Sequence, residues 1–209
     1  MLGYLRSTTG HGASPALLRF TAAYSAPSSL LYTIFIKPIY ILRSILTFAG
    51  PIFHSRRSKS KPLIFNFMRA LRSDPGTAGL KIGVAGFCWG GQYAVLLAQD
   101  DPAPLGSTES KPLVDAAFTA HPALLSIPAD IVKVKAPMSI AVAEHDMYLK
   151  PPAVERLKSV EKGEEYEVVM FPGTGHGFAM RNNPKDGVQM AAAEKAEGQA
   201  LVWFKRWLG

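Results

Sequence analysis

One cysteine in a glycine-rich turn gives the clearest indication of chemistry in this chain. Cys88 is the single cysteine among 209 residues, and it stands at the centre of Gly86-Phe87-Cys88-Trp89-Gly90, which reads G-x-C-x-G. The equivalent G-x-S-x-G pattern places a hydrolase nucleophile on a sharp turn between a strand and a helix. Such a turn needs small neighbours, so we expect Gly86, Gly90 and Gly91 to be required there. A sulfur at the start of the following helix is favoured as the nucleophilic thiolate.

Two later segments supply partners for a nucleophile. Asp146 follows an apolar run at 138–143, and His176 lies between Gly175 and Gly177 after a second apolar run. The order nucleophile, acid, histidine is the one found in α/β-hydrolases, where the imidazole moves the proton and the carboxylate orients it. Taken singly, Cys88 also fits a buried cysteine in a turn, and Asp146 also fits a loop cap. Their joint order favours a catalytic triad.

The elements that would position these residues alternate along the chain. Apolar runs and turn residues predict helices at 27–49 (broken at Pro38), 62–73, 91–99, 151–161 and 187–208, and strands at 81–87, 114–120, 138–143 and 166–171. Residues 100–112 read as a polar loop. Strands that alternate with helices predict a parallel sheet with helices on both faces.

The chain resembles the dienelactone hydrolase family of the α/β-hydrolase superfamily. The resemblance is carried by 83–91, by Ala143-Glu144-His145-Asp146 and by Gly175-His176-Gly177-Phe178-Ala179, and it extends from about residue 30 to the C-terminus. It implies an α/β-hydrolase-type sheet and the cleavage of esters or lactones, often bearing a carboxylate, through a thioester on the enzyme. The family's Cys–Asp–His triad maps to Cys88, Asp146 and His176, and the residue after the nucleophile, Trp89, would supply an oxyanion N–H. No cofactor is implied.

The family pattern also has parts that this sequence does not match. The family has early strands and a glutamate before the nucleophile, whereas the first acidic residue here is Asp74 and the first glutamate is Glu109. We therefore expect the N-terminal part of the sheet to be missing. The expected organisation is a poorly matched segment at 1–30, which is either the start of a truncated chain or transit-like, and a partial hydrolase domain at 31–209. The alternative function is a weak or inactive remnant that acts as a binding or interaction protein.

Two further residues are candidates for substrate binding. His121 ends a predicted strand at the same sheet edge as the triad, so it either lines the pocket or is merely structural beside Pro122. Arg181 lies five residues after His176 and either binds a substrate carboxylate or is a surface arginine. Some family members place an arginine four residues after the histidine, so the spacing differs here.

Composition fits one domain with a substantial core, since 48% of the residues are hydrophobic. A single cysteine excludes an internal disulfide and fits a reducing compartment, so we expect a cytoplasmic protein. The alternative is mitochondrial, because 1–30 is rich in Ser, Thr and Ala, contains arginines and lacks acids. The five histidines show no metal-ligand spacing, so no metal site is expected.

The net charge of +7 is unevenly distributed. Residues 1–73 contain ten Lys or Arg and no Asp or Glu, whereas the rest holds 13 basic and 16 acidic residues. We interpret the densest run, 56–61, as a solvated loop, with contacts to phosphates or lipid head groups as the alternative. The apolar stretch at 29–53 is interrupted by Lys37, Pro38 and Arg43, which argues against a membrane span. We expect a small ester or lactone as the partner and no nucleic acid, and we leave the oligomeric state open.

Overall fold

The structure is a computed structural model that describes residues 37–54, 56–101, 111–160, 162–181 and 185–209. The chain forms two compact units, Met1–Ser60 and Lys61–Gly209. Helix α1, Lys37–His54, belongs to the first unit. Its second residue is Pro38, a position in the first helical turn where proline is tolerated, so the chain continues as helix beyond this proline. The part of the predicted first helix at 27–36 lies outside the described residues.

Nine further elements follow among the described residues. The helices are α2 (Arg57–Ser73), α3 (Trp89–Leu97), α4 (Pro151–Lys158) and α5 (Gly187–Leu208), with a short 3-10 helix at Gly163–Glu165. The strands are β1 (Gly83–Phe87), β2 (Ala116–Ala120), β3 (Met138–His145) and β4 (Tyr166–Gly175). Each predicted strand is found. Helix α2 begins at Arg57, five residues before its predicted start at 62. The interpretation of 56–61 as a loop is therefore wrong for 57–61, which form the first turns of this helix.

The strands form one parallel sheet of four in the order β1-β2-β3-β4. This confirms the predicted parallel sheet and brings the carboxyl ends of all four strands to one edge. Among the residues that the structure describes, no strand precedes β1, so β1 is an outer strand of the sheet. Gly83 and Ala85 in this strand are exposed.

Alternate residues of the strands pack on opposite faces of the sheet. Ile140 and Val142 of β3 face a core shared with Leu97 of α3 and Leu157 of α4, and α2 contributes Phe65 to it. The intervening β3 residues, with Phe118 of β2, pack with Ala192 and Ala196 of α5. Helices therefore cover both faces of the sheet, as predicted, and burial is most complete in the central strands β2 and β3.

Two arginines of α2 form ion pairs with aspartates in segments next to the sheet. Arg69 donates to both carboxylate oxygens of the buried Asp101, at 2.8 Å and 2.5 Å. Arg72 donates to Asp115 at 2.7 Å, and the same carboxylate oxygen accepts the Ile82 N–H at 2.6 Å. Arg72 therefore braces the segments that enter β1 and β2.

Helix α5 packs closely on the start of β1. A side chain at Gly83 would place its Cβ 2.6 Å from Leu208 and 2.9 Å from Phe204 of α5. The Lys81 ammonium also donates to the Trp207 carbonyl at 3.1 Å. At the other end of α5, Asp186 caps the helix by accepting the N–H groups of the second and third residues after it, both at 3.1 Å.

Candidate active site

The turn between β1 and α3 holds Cys88 in an unusual backbone conformation. Its φ of 51° and ψ of −118° lie in a region that residues other than glycine rarely occupy. Three hydrogen bonds fix it there: the Cys88 N–H donates to the Ala120 carbonyl at 3.3 Å, and its carbonyl accepts from Gly91 and Ala123 at 3.0 Å each. The loop after β2 therefore holds the turn in place, so the strain is supported by the surrounding structure.

The glycines around Cys88 are not equivalent. A Cβ on Gly86 would lie 2.5 Å from the Gly90 carbonyl oxygen, and a Cβ on Gly91 would lie 2.5 Å from the Thr119 hydroxyl and 2.7 Å from Pro122. A Cβ on Gly90 would meet nothing within 4 Å. The expectation of a required glycine is thus supported for Gly86 and Gly91. It is wrong for Gly90, which contributes the carbonyl oxygen that closely approaches Gly86.

The three predicted triad residues come together at the carboxyl edge of the sheet. His176 Nε2 lies 3.1 Å from Cys88 Sγ. His176 Nδ1 lies 2.9 Å from Asp146 Oδ2 and 3.1 Å from Oδ1. A carboxylate only accepts hydrogen bonds, so this contact assigns the proton to Nδ1 and leaves Nε2 to face the sulfur.

Local structure holds the acid and the histidine of this array. The Asp146 carboxylate is buried and also accepts the backbone N–H groups of Tyr148 at 2.7 Å and Leu149 at 3.3 Å. His176 lies in a tight turn whose next residue, Gly177, has φ 94°, a value that favours glycine. Of the two glycines that bracket His176, Gly177 therefore has the predicted role of allowing a tight turn.

Two aromatic rings contact the His176 imidazole. The Tyr148 ring centroid lies 5.0 Å away, and that of His121 lies 5.2 Å away with its plane nearly perpendicular, at 77°. Tyr148 was missed from the sequence. The available signal was an aromatic residue two positions after the candidate acid, in a loop at the sheet edge.

His121 is buried beside the triad. It is 1% exposed, has φ 40°, and packs against Phe178 at 5.6 Å between ring centroids. Burial is the main cause that lowers the pKa of His121 to about 4; the electrostatic effects of His176 and Arg181 act in the same direction, and that of Asp146 opposes them. The ring is therefore neutral at pH 7, and its Nδ1 has no hydrogen-bond partner among the described residues.

Trp89 and Arg181 lie at the same edge. Trp89 is the first residue of α3, directly after Cys88, and its ring centroid lies 4.7 Å from that of Tyr93. Arg181 is exposed, and its N–H closes the turn by donating to the Gly177 carbonyl at 2.7 Å.

The described part of the chain holds no group of three or more His, Cys, Asp or Glu arranged to bind a metal ion. None of its helices combines the length and apolar character that crossing a membrane requires. A groove of about 790 Å³ lies between β4 and α5, lined by residues such as Val169, Ala192 and Gln199, and no triad residue lines it.

A parallel sheet with a strained strand-to-helix turn and a Cys–His–Asp array at its carboxyl edge is the arrangement of an α/β-hydrolase. A model of the dienelactone hydrolase family matches residues 45–208, and the chain belongs to this family.

Known proteins of this kind are similar over part of their length. Hydrolase tropI of Talaromyces stipitatus is 30% identical over 132 residues, which are 61% of this chain and 46% of that protein. Dienlactone hydrolase 1 of Gibberella moniliformis is 24% identical over 152 residues, 71% of this chain and 54% of that protein. The chain thus spans about half the length of these relatives.

Among solved structures, one attributed to a dienelactone hydrolase of Klebsiella pneumoniae superimposes with a TM-score of 0.53 at 21% identity, over 68% of this chain and 59% of that one. At this identity the likeness supports the fold alone.

Proposed function

We propose that this protein hydrolyses a small ester or lactone, with Cys88 as nucleophile, His176 as general base and acid, and Asp146 as its orienting carboxylate. The observation that carries the proposal is the continuous array from Cys88 Sγ through the His176 ring to Asp146, with contacts of 3.1 Å and 2.9 Å. Membership of a family of hydrolases supports the reaction class.

The first half of the proposed reaction forms a thioester. His176 Nε2 accepts the thiol proton, and the Cys88 sulfur attacks the carbonyl carbon of the substrate to form a tetrahedral intermediate. The Asp146 carboxylate stabilises the imidazolium that results. The developing oxyanion meets the start of α3, where the Trp89 N–H donates to it. The intermediate then expels the alcohol, which takes its proton from His176.

The second half releases the acid. His176 removes a proton from water, the hydroxide attacks the thioester carbonyl, and the C–S bond breaks to regenerate Cys88. Three side chains and water handle every proton in this scheme, so it requires no cofactor. The scheme needs a reduced thiol, which suits the proposed cytoplasmic location and equally the mitochondrial alternative.

We assign supporting roles to two neighbours of the triad. Arg181 is proposed to attract a substrate carboxylate, since it is exposed and its charge acts on the buried His121. His121 is proposed to form the inner wall of the pocket, because its ring packs against that of His176.

The test compares hydrolysis of p-nitrophenyl acetate by the full chain and its variants. Cys88→Ala and His176→Ala should each abolish turnover, and the double variant should be no worse, because triad members act as a unit. His145→Ala is the matched control, since this histidine neighbours Asp146 and its side chain is 74% exposed. Rapid quenching should trap one acyl group on Cys88 by mass spectrometry. Turnover that persists in Cys88→Ala would refute the assignment.

A second candidate function is that of an interaction protein that retains the turn. The exposed strand β1 favours it, since its outer backbone groups pair with no strand in the described residues, and an open edge promotes association. Sedimentation of the purified chain separates the two: an oligomer without Cys88-dependent turnover would favour this candidate.

A further inference from the structure

Large apolar side chains are exposed in the segments that follow the carboxyl ends of all four strands. Trp89 follows β1, Leu124 follows β2, Met147 and Tyr148 follow β3, and Met180 follows β4. Their exposed fractions run from 37% for Trp89 to 70% for Met147. We refer to these five residues as the apolar rim.

The rim is built from the loops that hold the triad. Trp89 adjoins Cys88, and Tyr148 packs on the His176 ring. Leu124 directly follows the residue whose N–H donates to the Cys88 carbonyl at 3.0 Å. Met180 closes the His176 turn, because its N–H donates to the Gly177 carbonyl at 2.9 Å.

The Leu124 side chain is exposed to solvent, and its backbone conformation is unfavourable. Its φ of 61° is in the left-handed region, which is unfavourable for a residue with a Cβ, and its side chain is 57% exposed. Asparagine or glycine would adopt this backbone more easily. An apolar side chain that gains no burial in a strained loop next to a reactive group indicates a contact with a ligand.

From these observations we propose that the apolar rim binds the acyl group of the substrate, so that small esters with a medium-length or aromatic acyl group are preferred over acetyl esters. Exposed apolar residues commonly mark ligand sites, and these five lie in the segments next to the residues of the proposed triad. The inference rests on the proposed function, because it concerns the acyl group that Cys88 would carry.

The size of the expected preference follows from the burial of methylene groups. A fully buried methylene contributes about 0.8 kcal/mol, which is about fourfold in affinity. On an open rim we expect roughly half of that free energy, or about twofold for each methylene. Octanoyl esters should therefore exceed acetyl esters in kcat/KM by at least about tenfold.

The first experiment compares p-nitrophenyl acetate and octanoate. The ratio of their kcat/KM values should fall at least about fivefold in the variant Leu124→Asn/Met147→Gln, which keeps the side-chain lengths similar and suits the left-handed backbone. Leu80→Asn is the matched control, since Leu80 is 59% exposed in the segment that enters β1, at the opposite edge of the sheet. It should leave the ratio unchanged.

A second experiment separates the rim from the hydrolysis. It measures the rates at which N-octyl iodoacetamide and iodoacetamide alkylate Cys88 and takes their quotient, the octyl reagent over the parent reagent. The same quotient measured with the thiol of glutathione is the reference. The quotient should exceed that of glutathione at least about tenfold and fall towards it in the double variant.

The two experiments can fail independently. A high alkylation quotient without ester turnover would support the rim and refute the proposed function. Cys88-dependent turnover with equal rates on both esters, or a quotient equal to that of glutathione, would refute the rim and leave the proposed function in place. Failure of both would refute both.

Discussion

Replacing Gly86 by alanine tests how tightly the nucleophile turn is packed. The added Cβ would lie 2.5 Å from the Gly90 carbonyl oxygen and 2.9 Å from the Ala94 Cβ. Non-bonded heavy atoms prefer separations of about 3.5 Å, so the first turn of α3 must move by roughly 0.5–1 Å. Overpacking of this kind destabilises a protein by about 1–3 kcal/mol.

The same shift should disturb the chemistry at Cys88. This residue directly precedes α3, and its sulfur lies 3.1 Å from His176 Nε2. A misplacement of about 1 Å can cost on the order of 10²-fold in rate. We therefore expect Gly86→Ala to slow ester hydrolysis by one to two orders of magnitude.

The assay pairs urea unfolding with ester kinetics, and Gly90→Ala is the matched control. This glycine lies four residues away in the same turn, and its Cβ would meet nothing within 4 Å. It is in a helix, so alanine should stabilise the protein by up to about 1 kcal/mol. If the two variants lose the same stability, or if Gly86→Ala keeps wild-type stability and rate, the close approach of Gly86 and Gly90 is not what shapes this turn.

Three further predictions concern charge. His121→Phe should reduce the loss of stability on acidification. The pKa of His121 in the folded protein, about 4, lies below its unfolded value, so protonation of the unfolded chain lowers the free energy of unfolding by about 2 kcal/mol between pH 7 and pH 5. Urea unfolding of the protein and the variant at both pH values measures this difference. Arg69→Met should destabilise the protein by about 3 kcal/mol by chemical unfolding, because the buried Asp101 carboxylate loses its bidentate donor; a change below about 0.5 kcal/mol would show that this ion pair is dispensable. Arg181→Ala should reduce the preference for a carboxylate-bearing ester over its neutral analogue by on the order of tenfold in kcat/KM, and an unchanged preference would make it a surface arginine.

Local patterns in the sequence predicted the strands and the polar residues at their ends. Apolar runs bounded by turn residues placed β1 to β4, and each strand end carried the polar residue that the structure brings to the sheet edge. The end of β4 was not predictable in this way. The register of pairing between β3 and β4 shifts between Ala143 and His145, and His145 then pairs with Gly175. This last pair extends β4 to Gly175, and it depends on the partner strand and not on the local sequence.

The residues around Cys88, Asp146 and His176 were also not predictable from the sequence, because their arrangement depends on tertiary packing. Nothing local indicated that His121 would be fully buried with a left-handed backbone, because that conformation is set by the sheet edge and by Phe178. The difference between Gly86 and Gly90 was equally hidden, since a sequence shows which residues are small but not which atoms approach each other.

The contact between α5 and β1 has a consequence for the synthesis of this protein. Lys81 and Trp207, which meet in the folded chain, are 126 residues apart. At about 5–20 residues per second, the ribosome needs roughly 6–25 s to make the residues that cover the start of β1 after that strand has been made. For the first part of this interval Cys88 has no His176 beside it, since that residue follows 88 residues later, and α5 does not cover β1 until the interval ends. The nascent chain therefore passes through a stage in which its one thiol is open to oxidation and its first strand is open to chaperones.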